Sequence, residues 1–388
     1  MDFSLTEEQQ MFQQMFHDFA AKEVAKGADQ ADKREELPQK LLRRAAAQGF
    51  MGALAPEEPY GGAALDAVSF TLLLEALAAE CMSTALMIHV HNSLALRAIL
   101  KYGGAAVREA IVPEMVAGER IGAFALTEAD AGSDPAGLRT TAVRAGDAYL
   151  LNGTKTWVSN GGLAGVYVVF ATTDPAAGAR GLSAFLVPAE TAGLTVGGRQ
   201  KTLGLRAASI TRLYLEECRV PVENLLGAEG RGYKIALETL DYGRVGIAAA
   251  SLGLGRRAVE LGVKFAGERM QFGGPIGEKQ AIQAYLADAA TEVAAAEWLG
   301  RYAAWLADQG QPFTREAATA KLFASRMAAA VTNKVVQIFG GYGYMVDYPI
   351  ERYYRDARAL EIVEGTSQIQ QIVIAGSLLA GAGVKVRP

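Results

Sequence analysis

With 388 residues the chain is longer than one small core can organise, so two or three domains are expected. Hydrophobic residues at 51% and charged residues at 21% suit a soluble globular enzyme, and a net charge of −4 gives no electrostatic reason to bind nucleic acid or an anionic membrane. The apolar run from Val245 to Gly255 is 11 residues long, too short to span a bilayer, and two cysteines do not make a disulfide framework.

The first residues, Met1-Asp2-Phe3-Ser4-Leu5-Thr6-Glu7-Glu8, are acidic and amphipathic, so no export signal is expected and a cytoplasmic setting fits, as would a processed mitochondrial-matrix protein. From Thr6 to about Ala117 the pattern is helical. Phe12, Met15, Phe16 and Phe19 recur at three- and four-residue spacing, as do Leu72, Leu73, Ala76 and Leu77. After Gly118 the texture becomes β-rich, with runs at Thr140 to Arg144, Ala148 to Leu151, Thr156 to Ser159, Val166 to Thr172, Ser183 to Val187, Leu194 to Val196 and Arg212 to Leu215. Asn152-Gly153 is a strong hairpin signal among them. The expectation is a compact antiparallel β domain.

Long helical patterns resume at Tyr233. One apolar stripe joins Tyr285, Ala289, Val293 and Ala296, and another joins Ala320, Phe323, Ala324, Met327 and Val331. The chain therefore divides into an N-terminal helical domain (1–120), a central β domain (121–226) and a C-terminal helical domain (227–388), a mainly α fold with a β centre. Gly253-Leu254-Gly255-Arg256-Arg257-Ala258 mimics a dinucleotide fingerprint, but it sits inside a helical pattern and reads as close helix packing.

No nucleophile triad or metal site proposes itself. The three histidines are His17, His89 and His91. The last two stand two apart, so on a helix they point in different directions, and they read as core or surface side chains. Four segments carry more chemistry. Phe124 to Gly137 is a loop with hydroxyls, glycines and backbone donors. Thr156-Trp157-Val158-Ser159-Asn160-Gly161-Gly162 ends a strand with an indole and a diglycine. Gln337-Ile338-Phe339-Gly340-Gly341-Tyr342-Gly343-Tyr344 joins an amide to backbone that can approach a ligand closely. Ile362-Val363-Glu364-Gly365-Thr366-Ser367-Gln368 sets one carboxylate among apolar neighbours, ahead of hydroxyls that can cap a helix from Gln368 to Leu379. A carboxylate in an apolar pocket is able to act as a general base near neutral pH.

In this order and at these spacings the segments resemble the acyl-CoA dehydrogenase family. The likeness covers essentially the whole chain, carried by Ala125 to Gly137, by Gln337 through Gly340-Gly341-Tyr342-Gly343 to Asp347, Arg352 and Asp356, and by Glu364-Gly365-Thr366. The resemblance implies an N-terminal helical domain, a β domain and a C-terminal four-helix domain. It also implies bound FAD and desaturation of an acyl-CoA between its α and β carbons. Glu364 would remove the α proton while flavin N5 takes the β hydrogen as hydride. The thioester carbonyl would be polarised by the backbone N–H of the catalytic glutamate and a flavin ribityl hydroxyl.

By the same resemblance, Phe124, Leu126, Thr127, Gly132, Ser133, Trp157, Val158, Ser159, Arg269, Gln280, Gln337, Gly340, Gly341, Thr366 and Gln368 would contact FAD. Arg269 would meet its pyrophosphate. Ser133, Asp241, Arg244 and Gly365 would contact the acyl-CoA, with Leu86 and Val90 flooring the acyl pocket. Some family members carry the base at the position of Gly243, whereas this chain has glycine there and glutamate at 364; Val363 stands where many relatives have tyrosine. A homotetramer and reoxidation by an electron-transferring flavoprotein are further implications, as is a short- to medium-chain acyl group, straight or branched, from fatty-acid or branched-chain amino-acid breakdown. An oxygen-using oxidase is the nearest alternative, and a non-catalytic nucleic-acid-binding relative a remote one.

Overall fold

The computed structural model describes residues 4–384. Its N-terminal helices are α1 (Glu7–Phe19), α2 (Ala28–Arg34), α3 (Gln39–Ala47), α4 (Ala67–Glu80), α5 (Met82–His89), α6 (Arg97–Tyr102) and α7 (Ala105–Val116). Thr6 and Gln9 form a reciprocal capping box that starts α1. Asp66 caps α4 by accepting a 2.6 Å bond from the Ser69 N–H. Apart from its last two residues α4 is buried on every face, which makes it the axis of the helical core rather than a surface helix. A π-helical stretch, Val90–Leu96, links α5 to α6 without a break.

The strands are β1 (Ile121–Ala125), β2 (Thr141–Ala145), β3 (Ala148–Val158), β4 (Ala164–Thr172), β5 (Leu182–Pro188), β6 (Leu194–Val196), β7 (Thr211–Pro221) and β8 (Leu225–Leu226). They form one sheet in the order β6-β7-β3-β2-β4-β5-β8, with β1 beside β4. Most pairs are antiparallel, as expected. β1 and β4 run parallel, a pairing that strand signals alone do not specify. On β4, Val166, Val168 and Phe170 face one apolar cluster while Tyr167, Val169 and Ala171 face another, so both faces of the sheet are buried.

The Asn152-Gly153 hairpin does not form. Both residues lie within β3, and the turn falls between Ala145 and Ala148 instead. The Asn152 amide is committed sideways, donating to Glu217 Oε1 at 2.7 Å and accepting from the Glu217 N–H at 2.8 Å. The ladder with β7 shifts register at this point. A bulge, not a turn, uses the glycine, whose missing β-carbon leaves room for Thr140.

Beyond a two-stranded ribbon, β9 (Met270–Gln271) with β10 (Gly274–Pro275), the C-terminal part is built on α8 (Gly232–Glu268), α9 (Gln280–Asp308) and α10 (Thr314–Phe339). Helices α11 (Ile350–Leu360) and α12 (Ser367–Gly381) lie against α10. The glycines of the false fingerprint are packing devices: a β-carbon on Gly253 would overlap the Glu75 carbonyl of α4, and one on Gly255 would press on Met327 of α10. Ala289, Val293 and Ala296 are buried as their stripe predicts, whereas Tyr285 at its start is exposed; on α10 Ala320, Ala324, Met327 and Val331 are buried and Phe323 is half-buried.

Candidate active site

Glu364 lies in the turn between α11 and α12. It is held in the left-handed region (φ 54°), followed by Gly365 at φ 96°. A non-glycine residue pays for that conformation with strain that surrounding contacts must hold in place. Thr366 supplies the helix cap, accepting from the Ile369 N–H at 3.3 Å. Beneath the turn, the Gly365 carbonyl accepts from Lys321 Nζ at 2.7 Å and from Gln370 Nε2 at 2.9 Å. Lys321 is fully buried, and desolvation pushes its ammonium down to about 8.

The Glu364 side chain is 8% exposed and points inward. Oε1 lies 2.7 Å from His89 Nε2, at the end of α5, while Oε2 has no hydrogen-bond partner among the described residues. The opposite wall is Gly243 on α8, where any β-carbon would overlap Oε2 and crowd Leu94. His89 is completely buried, and its Nδ1 lies 3.1 Å from Ser93 Oγ. His91 does different work: Nε2 bonds the Met51 carbonyl at 2.8 Å and Nδ1 accepts from the Gly122 N–H at 2.9 Å. Burial lowers it to about 4, so it is a neutral tie between helices and β1.

Two residues before Gly243 on α8, Asp241 accepts from Arg244 at 2.6 Å and from the Thr314 hydroxyl at 2.6 Å, while burial raises its carboxyl. Arg244 is buried with Nε unpaired among the described residues. Leu86 and Val90 are buried on α5 and the π-helical stretch after it, near His89 in the chain.

The β-domain candidates form a second group. Phe124, Leu126, Thr127, Gly132 and Ser133 lie on the end of β1 and the loop after it, and Trp157, Val158 and Ser159 at the end of β3. A 2.9 Å bond from the Thr156 N–H to the Thr127 carbonyl joins them. Trp157 is 58% exposed and left-handed (φ 53°), so its indole is held out of the core by a strained backbone. Val158 is buried, and its carbonyl accepts from the Gly161 N–H at 3.1 Å. Lys155 anchors this edge from below with a 2.6 Å ion pair to Glu128.

A third group lies apart from these. Arg269, Gly340 and Gly341 line a groove of about 560 Å³ walled by Phe265, Ile276, Phe339, Tyr342 and Met345. Among the described residues, only the C-terminal part of the chain forms it. The Arg269 guanidinium stands 5.0 Å over the Tyr342 ring, and nothing lies within 4 Å of where β-carbons on Gly340 and Gly341 would project. Gln280 and Gln337 are exposed at the start of α9 and near the end of α10, while Gln368 is exposed on the first turn of α12. An exposed indole, a guanidinium beside bare glycine backbone and a buried carboxylate fit, in turn, a flat heterocycle, a diphosphate and a carbon acid.

Sequence reasoning did not find His89, Ser93, Lys321 or Gln370. His89 carried no ligand spacing, and the other three look like ordinary members of helical stripes.

Three family models match the chain: acyl-CoA dehydrogenase N-terminal domain over residues 6–119, middle domain over 123–218, and C-terminal domain over 230–379. The chain is 45% identical to the mitochondrial short-chain specific acyl-CoA dehydrogenase of Rattus norvegicus, covering 97% of this chain and 91% of that protein. It is 44% identical to an acryloyl-CoA reductase (NADH) of Anaerotignum propionicum, with 98% and 96% covered. Butyryl-CoA dehydrogenase from Megasphaera elsdenii superposes with a TM-score of 0.95 at 39% identity, covering 98% of this chain and all of that one. A chain from a study of the electron transferring flavoprotein of Acidaminococcus fermentans gives a TM-score of 0.96 at 44% identity, with 98% and 100% covered.

Proposed function

The chain belongs to the acyl-CoA dehydrogenase family, an oxidoreductase of that class, and from that premise we propose that it desaturates a short-chain acyl-CoA to the trans-2-enoyl thioester with Glu364 as the base. The observation that carries this reading is the buried Glu364 carboxylate, with Oε1 bonded to His89 and Oε2 unpartnered. An unpartnered carboxylate oxygen in a dry site is costly to keep, and it is oriented to accept a proton.

In this reading Glu364 Oε2 takes the α proton of the thioester. The Glu364 N–H, which donates to no backbone carbonyl among the described residues, is free for the thioester oxygen, where negative charge grows as the proton leaves. Trp157, Thr127 and Ser133 would hold the FAD ring, while Arg269 with Gly340 and Gly341, which lie apart from them, would meet the phosphates of a neighbouring subunit's FAD. Bound FAD supplies the two-electron acceptor for the β hydrogen. Asp241 and Arg244 would contact the acyl-CoA near Gly243.

The short-chain relatives support a small acyl group, although one methylene in an apolar pocket is worth only about 1–3 kcal/mol. Phe272 at 92% exposure and Tyr344 at 88% stand near the Arg269 groove, which supports a homo-oligomer. Likeness to a chain studied with an electron-transferring flavoprotein supports that protein as electron acceptor. The test is anaerobic titration with linear acyl-CoAs of increasing length and with branched four- and five-carbon thioesters, following flavin absorbance. Bleaching by butyryl-CoA at one equivalent is expected; no bleaching by any thioester would defeat the reading.

A further inference from the structure

Two glycines three residues apart on α8 shape a slot. A β-carbon on Gly243 would overlap Glu364 Oε2, and one on Gly246 would overlap His89 Nδ1 and Cε1. Carboxylate and imidazole therefore lie side by side against bare helix backbone, with no space for either to change rotamer toward α8. The imidazole is completely buried and its two nitrogens are both engaged, Nε2 with Glu364 Oε1 at 2.7 Å and Nδ1 with Ser93 Oγ at 3.1 Å. An ionised carboxylate only accepts, so Nε2 carries a hydrogen and donates it to Oε1, whether Nδ1 accepts from the Ser93 hydroxyl or donates to it.

We propose that His89 is a positioning residue for the base: its Nε2–H holds Glu364 Oε1, so that Oε2 alone faces the thioester α carbon. The inference rests on the reading of Glu364 as base and adds the device that aims it. Glu364 sits in a turn, not on a helix, and its left-handed backbone leaves the side chain to be fixed by contacts. Below the turn, Lys321 and Gln370 hold the Gly365 carbonyl and so fix the main chain. Among the described residues, only His89 hydrogen-bonds the carboxylate itself. Without that donor both oxygens would be unpartnered, and the carboxylate would be free to rotate about its terminal bond. When Oε2 receives the α proton, the imidazole bond to Oε1 persists, so the proton stays on the oxygen nearest the product. No electron or proton passes to His89.

The test uses the flavin-loaded enzyme and its anaerobic reduction by butyryl-CoA. His89→Leu keeps bulk and removes the donor, whereas His89→Gln returns an N–H close to the position of Nε2. With flavin content and affinity for a non-reacting acyl-CoA thioether unchanged, His89→Leu is expected to slow reduction by about 10²-fold, the scale of a small misplacement of a reacting group. His89→Gln should recover most of that rate, and a substrate deuterated at the α carbon should show a larger isotope effect in His89→Leu than in the wild type. A purely structural role would instead lower flavin content in both variants and leave the isotope effect alone.

Wild-type reduction by His89→Leu overturns the inference, as does equal slowing of both variants with flavin retained. If His89→Leu does not bind flavin, Ser93→Ala decides: slower reduction supports the inference, and an unchanged rate overturns it. Glu364→Gln run alongside separates the two readings. If it bleaches rapidly, the base itself is wrong; if it is dead while His89→Leu is normal, only the positioning role falls.

Discussion

Gly243 and Glu364 compete for one volume: the carboxylate oxygen Oε2 occupies the space a β-carbon at position 243 would need. A helix position and a turn position 121 residues apart are thus sterically exclusive. Glycine on α8 is what allows glutamate to reach inward from the α11–α12 turn.

Gly243→Ala therefore tests the geometry with one methyl group. The helix itself tolerates alanine well, so the strain falls on Glu364 and Leu94. Flavin reduction is expected to slow by about 10²-fold while thermal stability changes by no more than about 1–3 kcal/mol. Stopped-flow reduction and a denaturant titration would measure the two effects separately.

Glu364→Gln keeps the bond from His89 and the size of the side chain but cannot accept a proton at Oε2. Reduction by acyl-CoA should fall by about 10²–10⁴-fold with flavin content unchanged. Rapid bleaching by this variant would put the base elsewhere.

Arg269→Ala removes the guanidinium that stands over Tyr342 in the apolar groove. Loss of a charged hydrogen bond to phosphate is worth about 1.5–3 kcal/mol, roughly ten- to hundredfold in FAD affinity. Flavin per chain after dialysis should drop, and the elution volume should shift toward smaller species. An unchanged yellow oligomer would refute the phosphate assignment.

Lys321 carries a pH signature. Burial lowers its folded-state value to about 8, against 10.5 for the free side chain. Below about pH 8 both folded and unfolded chains hold the proton, and the folded state bears the full desolvation cost. As pH rises from 8 toward 10.5 the folded chain loses its proton first, so this group makes stability rise with pH in that window. At 1.36 kcal/mol for each pH unit the gain is roughly 2–3 kcal/mol. Lys321→Met should flatten that rise in urea midpoints measured from pH 8 to 10, and an identical slope would show that the ammonium is not the cause.

Much of the molecule is legible locally because burial follows period. The stripes of α9 and α10 show on which face each helix packs, and the capping hydroxyl at Thr366 shows where α12 begins. Glu364 stands out locally as a lone acid before glycine and a cap, but that pattern equally suits an ordinary loop glutamate, and its role as base is what the family resemblance implies. Asn152-Gly153 misled because a turn signal reports what a dipeptide is able to do alone. Cross-strand bonds from Asn152 to Glu217 outweighed it.

By itself the sequence determined the helical, β, helical order, the glycines that let helices approach, and the acid at position 364. Only the tertiary structure decided that His89, 275 residues from Glu364, would grip one carboxylate oxygen. Periodicity records whether a side chain is buried and says nothing about which distant group it meets there. That choice is made when α5 and the α11–α12 turn close on the same two glycines of α8.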